Sequence, residues 1–301
     1  MRTGRVAYAW SRSEAIIERG RRRTGRLPPH AVDHRYRAAE DTTRRRPVFD
    51  GVLAETITIQ GDGGDEIPAY FARPLGPGPY PGVVVIHHMP GFDAATKEIT
   101  RTFAVSGYSA ICPNLHFREG PGLSPSEAAA ATRAAGGVPD RRCVGDVGGA
   151  LRYLRAMTNS NGRAGVIGYC SGGRQAYLVA CSLSVDAAVD CYGGRVVASS
   201  DELSERQPVA PIDLTPNLSG PLLGLFGAED RNPSPDQVQR IESACRQHGK
   251  TYEFHTFADA GHAFFSVDQP SYRVEAAIDG WQKIWDWFAA YLGSGRASEG
   301  P

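Results

Sequence analysis

No stretch of the 301-residue chain approaches the ~20 consecutive apolar residues that a membrane-spanning helix needs, and its first residues lack the apolar core of a secretory signal. A cytoplasmic protein with no membrane partner is therefore expected. The six cysteines, at 112, 143, 170, 181, 191 and 245, show no CxxC spacing and are too sparse for a disulfide scaffold. Net charge is absent too, because 33 Lys and Arg balance 33 Asp and Glu. That balance hides two unlike parts. Residues 1–46 hold thirteen arginines against five acidic residues, so they carry +8 and the remainder −8. The segment reads as a solvated tail rather than a nucleic-acid-binding arm, so no nucleic-acid partner is expected. The triplets Arg21–Arg23 and Arg44–Arg46 are not followed by an apolar stretch, which argues against twin-arginine export.

The Arg-rich segment 1–47 is interrupted by Gly and Pro and reads as a disordered extension. Residues 48–295 read as one α/β domain, followed by a short tail, 296–301. Thr56-Ile57-Thr58-Ile59 alternates like an edge strand, residues 61–64 read as a turn, and 67–72 as the returning strand. Gly82-Val83-Val84-Val85-Ile86 is continuously apolar, the mark of a strand buried on both faces. Helices are expected over 94–106, 140–157, 172–181, 235–248 and 272–292. Further strands are expected over 108–112, 164–168, 187–191, 221–226 and 251–257, with an irregular insertion at 193–220. Repeated strand, crossover, strand units imply a mostly parallel central sheet flanked by helices on both faces. In the last helix Ile278, Trp281, Trp285 and Phe288 recur at helical spacing and read as core.

The chemistry concentrates at Gly168-Tyr169-Cys170-Ser171-Gly172-Gly173. A nucleophile in a sharp strand-to-helix turn needs glycine two residues before and two after it, since side chains there would clash. Gly168 and Gly172 fill those places around Cys170. Ser171 does not fit, because its upstream partner is Tyr169. The N-terminus of the following helix favours a thiolate and leaves backbone N–H groups unused. In this α/β-hydrolase arrangement an acid and then a histidine follow, each on a loop after a strand. Asp230 follows the apolar strand 221–226, with Glu229 one residue nearer the strand, and His262 follows the strand 251–257. His255 lies within that strand and reads as a packing or surface residue.

The first buried strand runs into His87-His88-Met89-Pro90-Gly91, where the fold places its second oxyanion donor. The amides of Met89 and Ser171 are thus the candidate oxyanion hole, and Tyr192 and Phe264 the candidate substrate walls. A zinc site built on His87, His88 and His116 is the rival reading. Adjacent strand residues point to opposite faces, so neither metal nor cofactor is expected.

Taken together, PAYFARP (68–74), VVVIHHMPG (83–91), NGRAGVIGYCSGGR (161–174), LLGLFGAED (222–230) and ADAGHAFF (258–265) resemble the dienelactone hydrolase family, the carboxymethylenebutenolidases. The likeness runs from about residue 50 to 292. It implies an α/β-hydrolase fold, a Cys170-His262-Asp230 triad, and hydrolysis of a lactone ring, in that family dienelactone to maleylacetate, without metal or cofactor. Where the family keeps a glutamate that controls the cysteine's protonation, this chain has His88, an auxiliary residue able to relay a proton near neutral pH. Where the family keeps a carboxylate-gripping arginine after the histidine, it has Ser266, and Arg133, Arg141 and Arg142 are candidates for a second such arginine. These departures point away from a carboxylate-bearing dienelactone. The expected function is cysteine-dependent hydrolysis of a small ester or lactone through an acyl-thioester. A broad carboxylesterase and a non-catalytic binding protein are the alternatives, and monomer and homodimer both stay open.

Overall fold

A computed structural model of the chain describes residues 51–293. The expected extension 1–47 and tail 296–301 lie outside the described residues. Eight strands form one sheet: β1 (Val52–Gln60), β2 (Glu66–Pro74), β3 (Tyr80–Ile86), β4 (Ser109–Pro113), β5 (Ser160–Tyr169), β6 (Ala188–Cys191), β7 (Leu222–Gly227) and β8 (Tyr252–Phe257). Their spatial order is β1-β2-β4-β3-β5-β6-β7-β8. β1 and β2 pair antiparallel, as do β2 and β4, whereas every pair from β4 to β8 is parallel. The expected edge strand and central strand are both found where the sequence predicts them.

Period-two alternation explains why the central strands are apolar throughout. Val84 and Ile86 of β3 and Val166 of β5 enter one core layer, while Val83, Val85 and Ile167 enter the opposite one. Helices α3 (Asp140–Ala156), α4 (Ser171–Ser182) and α5 (Pro235–Gln247) cover the first layer through Leu151, Tyr177 and Ile241. Helices α1 (Ala94–Val105) and α6 (Val274–Leu292) cover the second through Phe103, Ile284 and Phe288. Burying each such side chain contributes roughly 1.5–3 kcal/mol. Ile278 departs from the expected core stripe of α6 and is 65% exposed.

Helix α2 (Pro125–Ala134) falls in a segment where no element is predicted. Its start is nonetheless written in the sequence: Ser124 and Glu127 form a reciprocal capping box with Pro125 at the first turn. Among the described residues no helix is long and apolar enough to cross a membrane.

Candidate active site

The chain passes from β5 to α4 at Cys170, whose φ of 56° and ψ of −119° lie in a region that non-glycine residues rarely occupy. The flanking glycines make this turn possible. A Cβ at position 168 would lie 1.8 Å from the Gly172 carbonyl oxygen, and one at position 172 would lie 2.3 Å from that of Ile86. The Cys170 amide donates to the Cys191 carbonyl at 3.0 Å, tying the turn to the end of β6. Cys170 is partly exposed, while the other five cysteines are buried. Burial pushes the thiols of Cys112, Cys143, Cys181, Cys191 and Cys245 up, so none of these is a ready nucleophile.

The loops after β7 and β8 bring Asp230 and His262 together. Asp230 is buried, and its Oδ2 lies 2.8 Å from His262 Nδ1 while its Oδ1 accepts from the Asn232 amide at 2.9 Å. That engagement of Nδ1 leaves Nε2 available to Cys170, which acts on the titration of the ring. Burial alone pulls the pKa of His262 down. The hydrogen bond to Asp230 and the interaction with Cys170 outweigh it, raising the value from 6.5 to about 10. Glu229 is exposed and turned to solvent, and His255 pairs with Glu253 on β8.

Backbone strain gathers here. Of the four non-glycine residues with positive φ among those described, three are Cys170, Tyr192 (42°) and Ala263 (62°), the last adjoining His262. The Tyr192 ring meets the His262 ring edge-on at 5.2 Å. Its turn is closed by Asp190, whose Oδ1 accepts from the Gly193 amide at 2.7 Å. Asp190 is fully enclosed, and burial raises its carboxyl to about 7. Sequence reading missed it because a single acidic residue inside an apolar strand carries no motif.

Ser171 opens α4, and Met89 lies in the loop after β3. Among the described residues neither amide donates to a protein acceptor. Gly91 belongs to the same loop at φ 107°, where a Cβ would lie 2.7 Å from His116 Nδ1. His88 faces Asp93, the N-cap of α1, with Nε2 to Oδ2 at 2.9 Å. Burial pushes the Asp93 carboxyl up, but the hydrogen bonds from His88 and Thr96 prevail and hold it at about 2. Both ring nitrogens of His87 are occupied by backbone groups, and among the described residues no three His, Cys, Asp or Glu side chains are arranged to hold a metal ion.

A cavity of about 170 Å³ is walled by Tyr169, Tyr192, Phe265, Trp281 and Ile99, and reaches the triad through Tyr192, whose ring meets that of His262, and through Tyr169, which precedes Cys170. Besides the two tyrosines, its ionisable lining residues are His88, Glu98 and Asp268, with no arginine or lysine among them. Ser266 lines it too. Of the two candidate wall residues, Tyr192 lines this cavity and Phe264 does not. Phe264 is fully buried against Tyr192 and Phe257, and its neighbour Phe265 reaches the cavity instead. The loop after His262 has no strand periodicity, so the sequence leaves open which of two adjacent phenylalanines turns inward. Of the candidate arginines, Arg142 pairs with Glu119 and none reaches this cavity.

The model of the "Dienelactone hydrolase family" matches residues 67–292. A "Putative carboxymethylenebutenolidase" of Methylorubrum extorquens is 34% identical over 245 residues, covering 80% of this chain and 82% of its own. One of the same description from Escherichia coli K12 is 34% identical over 254 residues, covering 81% and 89%. The crystal structure of a "Putative Dienelactone Hydrolase" from Klebsiella pneumoniae superposes with a TM-score of 0.73 at 32% identity, covering 80% of this chain and all of the other.

Proposed function

The chain belongs to the dienelactone hydrolase family and is a hydrolase of carboxylic esters or lactones, and on that premise we propose that Cys170, His262 and Asp230 carry the reaction on a small, uncharged substrate. The observation that carries this reading is the pairing of buried Asp230 with His262 at 2.8 Å, on a histidine whose pKa responds to Cys170 at the strained turn.

The Cys170 thiolate attacks the substrate carbonyl carbon, and the oxygen that takes up the charge is met by the amides of Met89 and Ser171. The tetrahedral intermediate collapses to an acyl-thioester as protonated His262 gives its Nε2 proton to the departing oxygen. Water then loses a proton to His262 and attacks the thioester, which releases the acid and restores the thiolate–imidazolium pair. Asp230 fixes the ring's tautomer and stabilises its charged form.

The cavity supports the choice of substrate. Its volume is close to that of apolar protein cavities that admit benzene, ~150 Å³, and its aromatic wall suits a group of that size. With Glu98 and Asp268 in its lining and no cation to meet a carboxylate, an anionic substituent is disfavoured there. The test is turnover of p-nitrophenyl butyrate beside its hemisuccinate counterpart. The expected result is a preference for the neutral ester and abolition of both activities by Cys170→Ala; retained turnover in that variant overturns the assignment.

A further inference from the structure

His87 ends the apolar run of β3 and is 2% exposed, yet both of its ring nitrogens have backbone partners. Nε2 lies 3.1 Å from the Leu115 amide, just beyond β4. That amide can only donate, so Nε2 is the acceptor and the ring proton sits on Nδ1. Nδ1 lies 2.9 Å from the carbonyl oxygen of His88 and therefore donates to it.

The consequence follows from peptide geometry. The carbonyl of His88 and the amide of Met89 belong to one peptide unit. Among the described residues the cis bonds are Gly78-Pro79 and Asn232-Pro233, so this unit is trans, and its C=O and N–H point in opposite directions. Holding the carbonyl against the His87 ring turns the Met89 N–H the other way, and that N–H has no protein acceptor among the described residues. The main chain on either side is held as well. The carbonyls of Ile86 and His87 abut Gly172, where a Cβ would meet them at 2.3 and 2.7 Å, so the loop lies directly against the first turn of α4 that carries the Ser171 amide.

We propose that His87 is the positioning residue of the oxyanion hole, locking the His88–Met89 peptide so that the Met89 amide stays presented beside that of Ser171. The inference rests on the reading of Met89 as an oxyanion donor. His87 suits the task because it keeps one tautomer: burial, followed by the charge of neighbouring His116, lowers its pKa to about 3. A ring that took up a proton near neutral pH would lose its bond from Leu115.

Five measurements on the full chain test this. Wild-type ¹⁵N NMR of His87 is expected to show a protonated Nδ1 and a bare Nε2; the opposite tautomer overturns the proposal. His87→Leu removes both bonds, and kcat and kcat/KM for p-nitrophenyl butyrate are expected to fall together toward the roughly 100- to 1000-fold loss of an oxyanion donor. His87→Gln carries a donor and an acceptor on one side chain and recovers at least about tenfold of that loss. Alkylation of Cys170 by iodoacetamide, a displacement at a saturated carbon that develops no oxyanion, keeps its wild-type rate in both variants. Full turnover in His87→Leu, or a parallel fall in alkylation, contradicts the proposal. Met89→Pro, which deletes the amide proton itself, separates the two levels. If it retains full activity, the oxyanion reading of Met89 fails. If it loses activity while His87→Leu does not, only the role given to His87 fails.

Discussion

Two loops at the same edge of the sheet each present a histidine, and they put the same side chain to opposite uses. After β3, His87 is enclosed and bonded only to neutral backbone groups, so its pKa is pushed down to about 3 and the ring stays uncharged. After β8, His262 is partly open and lies between Asp230 and Cys170, which overcome its burial and raise its pKa to about 10. One ring is a fixed brace, and the other is a proton carrier. Environment decides between these roles: a buried histidine without a counter-charge gives up its proton, while one between acidic partners holds it.

The contrast can be broken most severely by removing the charge that distinguishes the second histidine. Asp230→Asn keeps the shape of the site but deprives His262 of its anionic partner, and kcat is expected to fall by roughly 10³- to 10⁴-fold. NMR titration of the variant should show the His262 pKa moving down from about 10 toward 6.5. An unmoved pKa with intact turnover would mean that Asp230 does not hold the histidine.

A smaller effect sharpens the same contrast through stability. His262 has a folded pKa raised from 6.5 to about 10, so its stabilising contribution is complete below pH 6.5 and is lost as pH climbs toward 10. His87 has a folded pKa lowered to about 3, so its contribution is complete above pH 6.5 and is lost as pH falls toward 3. Urea midpoints measured across pH should therefore decline on both sides. His262→Gln is expected to flatten the alkaline limb alone, and His87→Gln the acidic limb alone, the latter by on the order of a few kcal/mol. Limbs that do not respond separately would show that other groups govern them.

Much of this was legible in the residues. Continuous apolar runs mark β3, β5 and β7 because strands covered on both faces have no polar side, and the glycine spacing around Cys170 marks the turn because no other residue fits. Loop geometry was less legible. His88 and Asp93 meet because one opens the loop after β3 and the other ends it as the cap of α1, a closure that linear spacing does not reveal. Phe264 and Phe265 exchange roles for a similar reason, since parity carries no meaning where the chain is neither strand nor helix. The bracing of His87 was not legible at all, because its two bonds go to backbone groups of His88 and Leu115, which no side-chain pattern announces.

The central claim is that Cys170 becomes acylated by the substrate. Intact-protein and peptide mass spectrometry after acid quench tests it directly, using His262→Gln with p-nitrophenyl butyrate so that any thioester outlives its hydrolysis. A butyryl mass increment on the peptide holding Cys170, removed by neutral hydroxylamine and absent in the double variant with Cys170→Ala, is the predicted result. An increment that persists in the double variant, as on Ser171, or no increment while ester is still consumed, would contradict it.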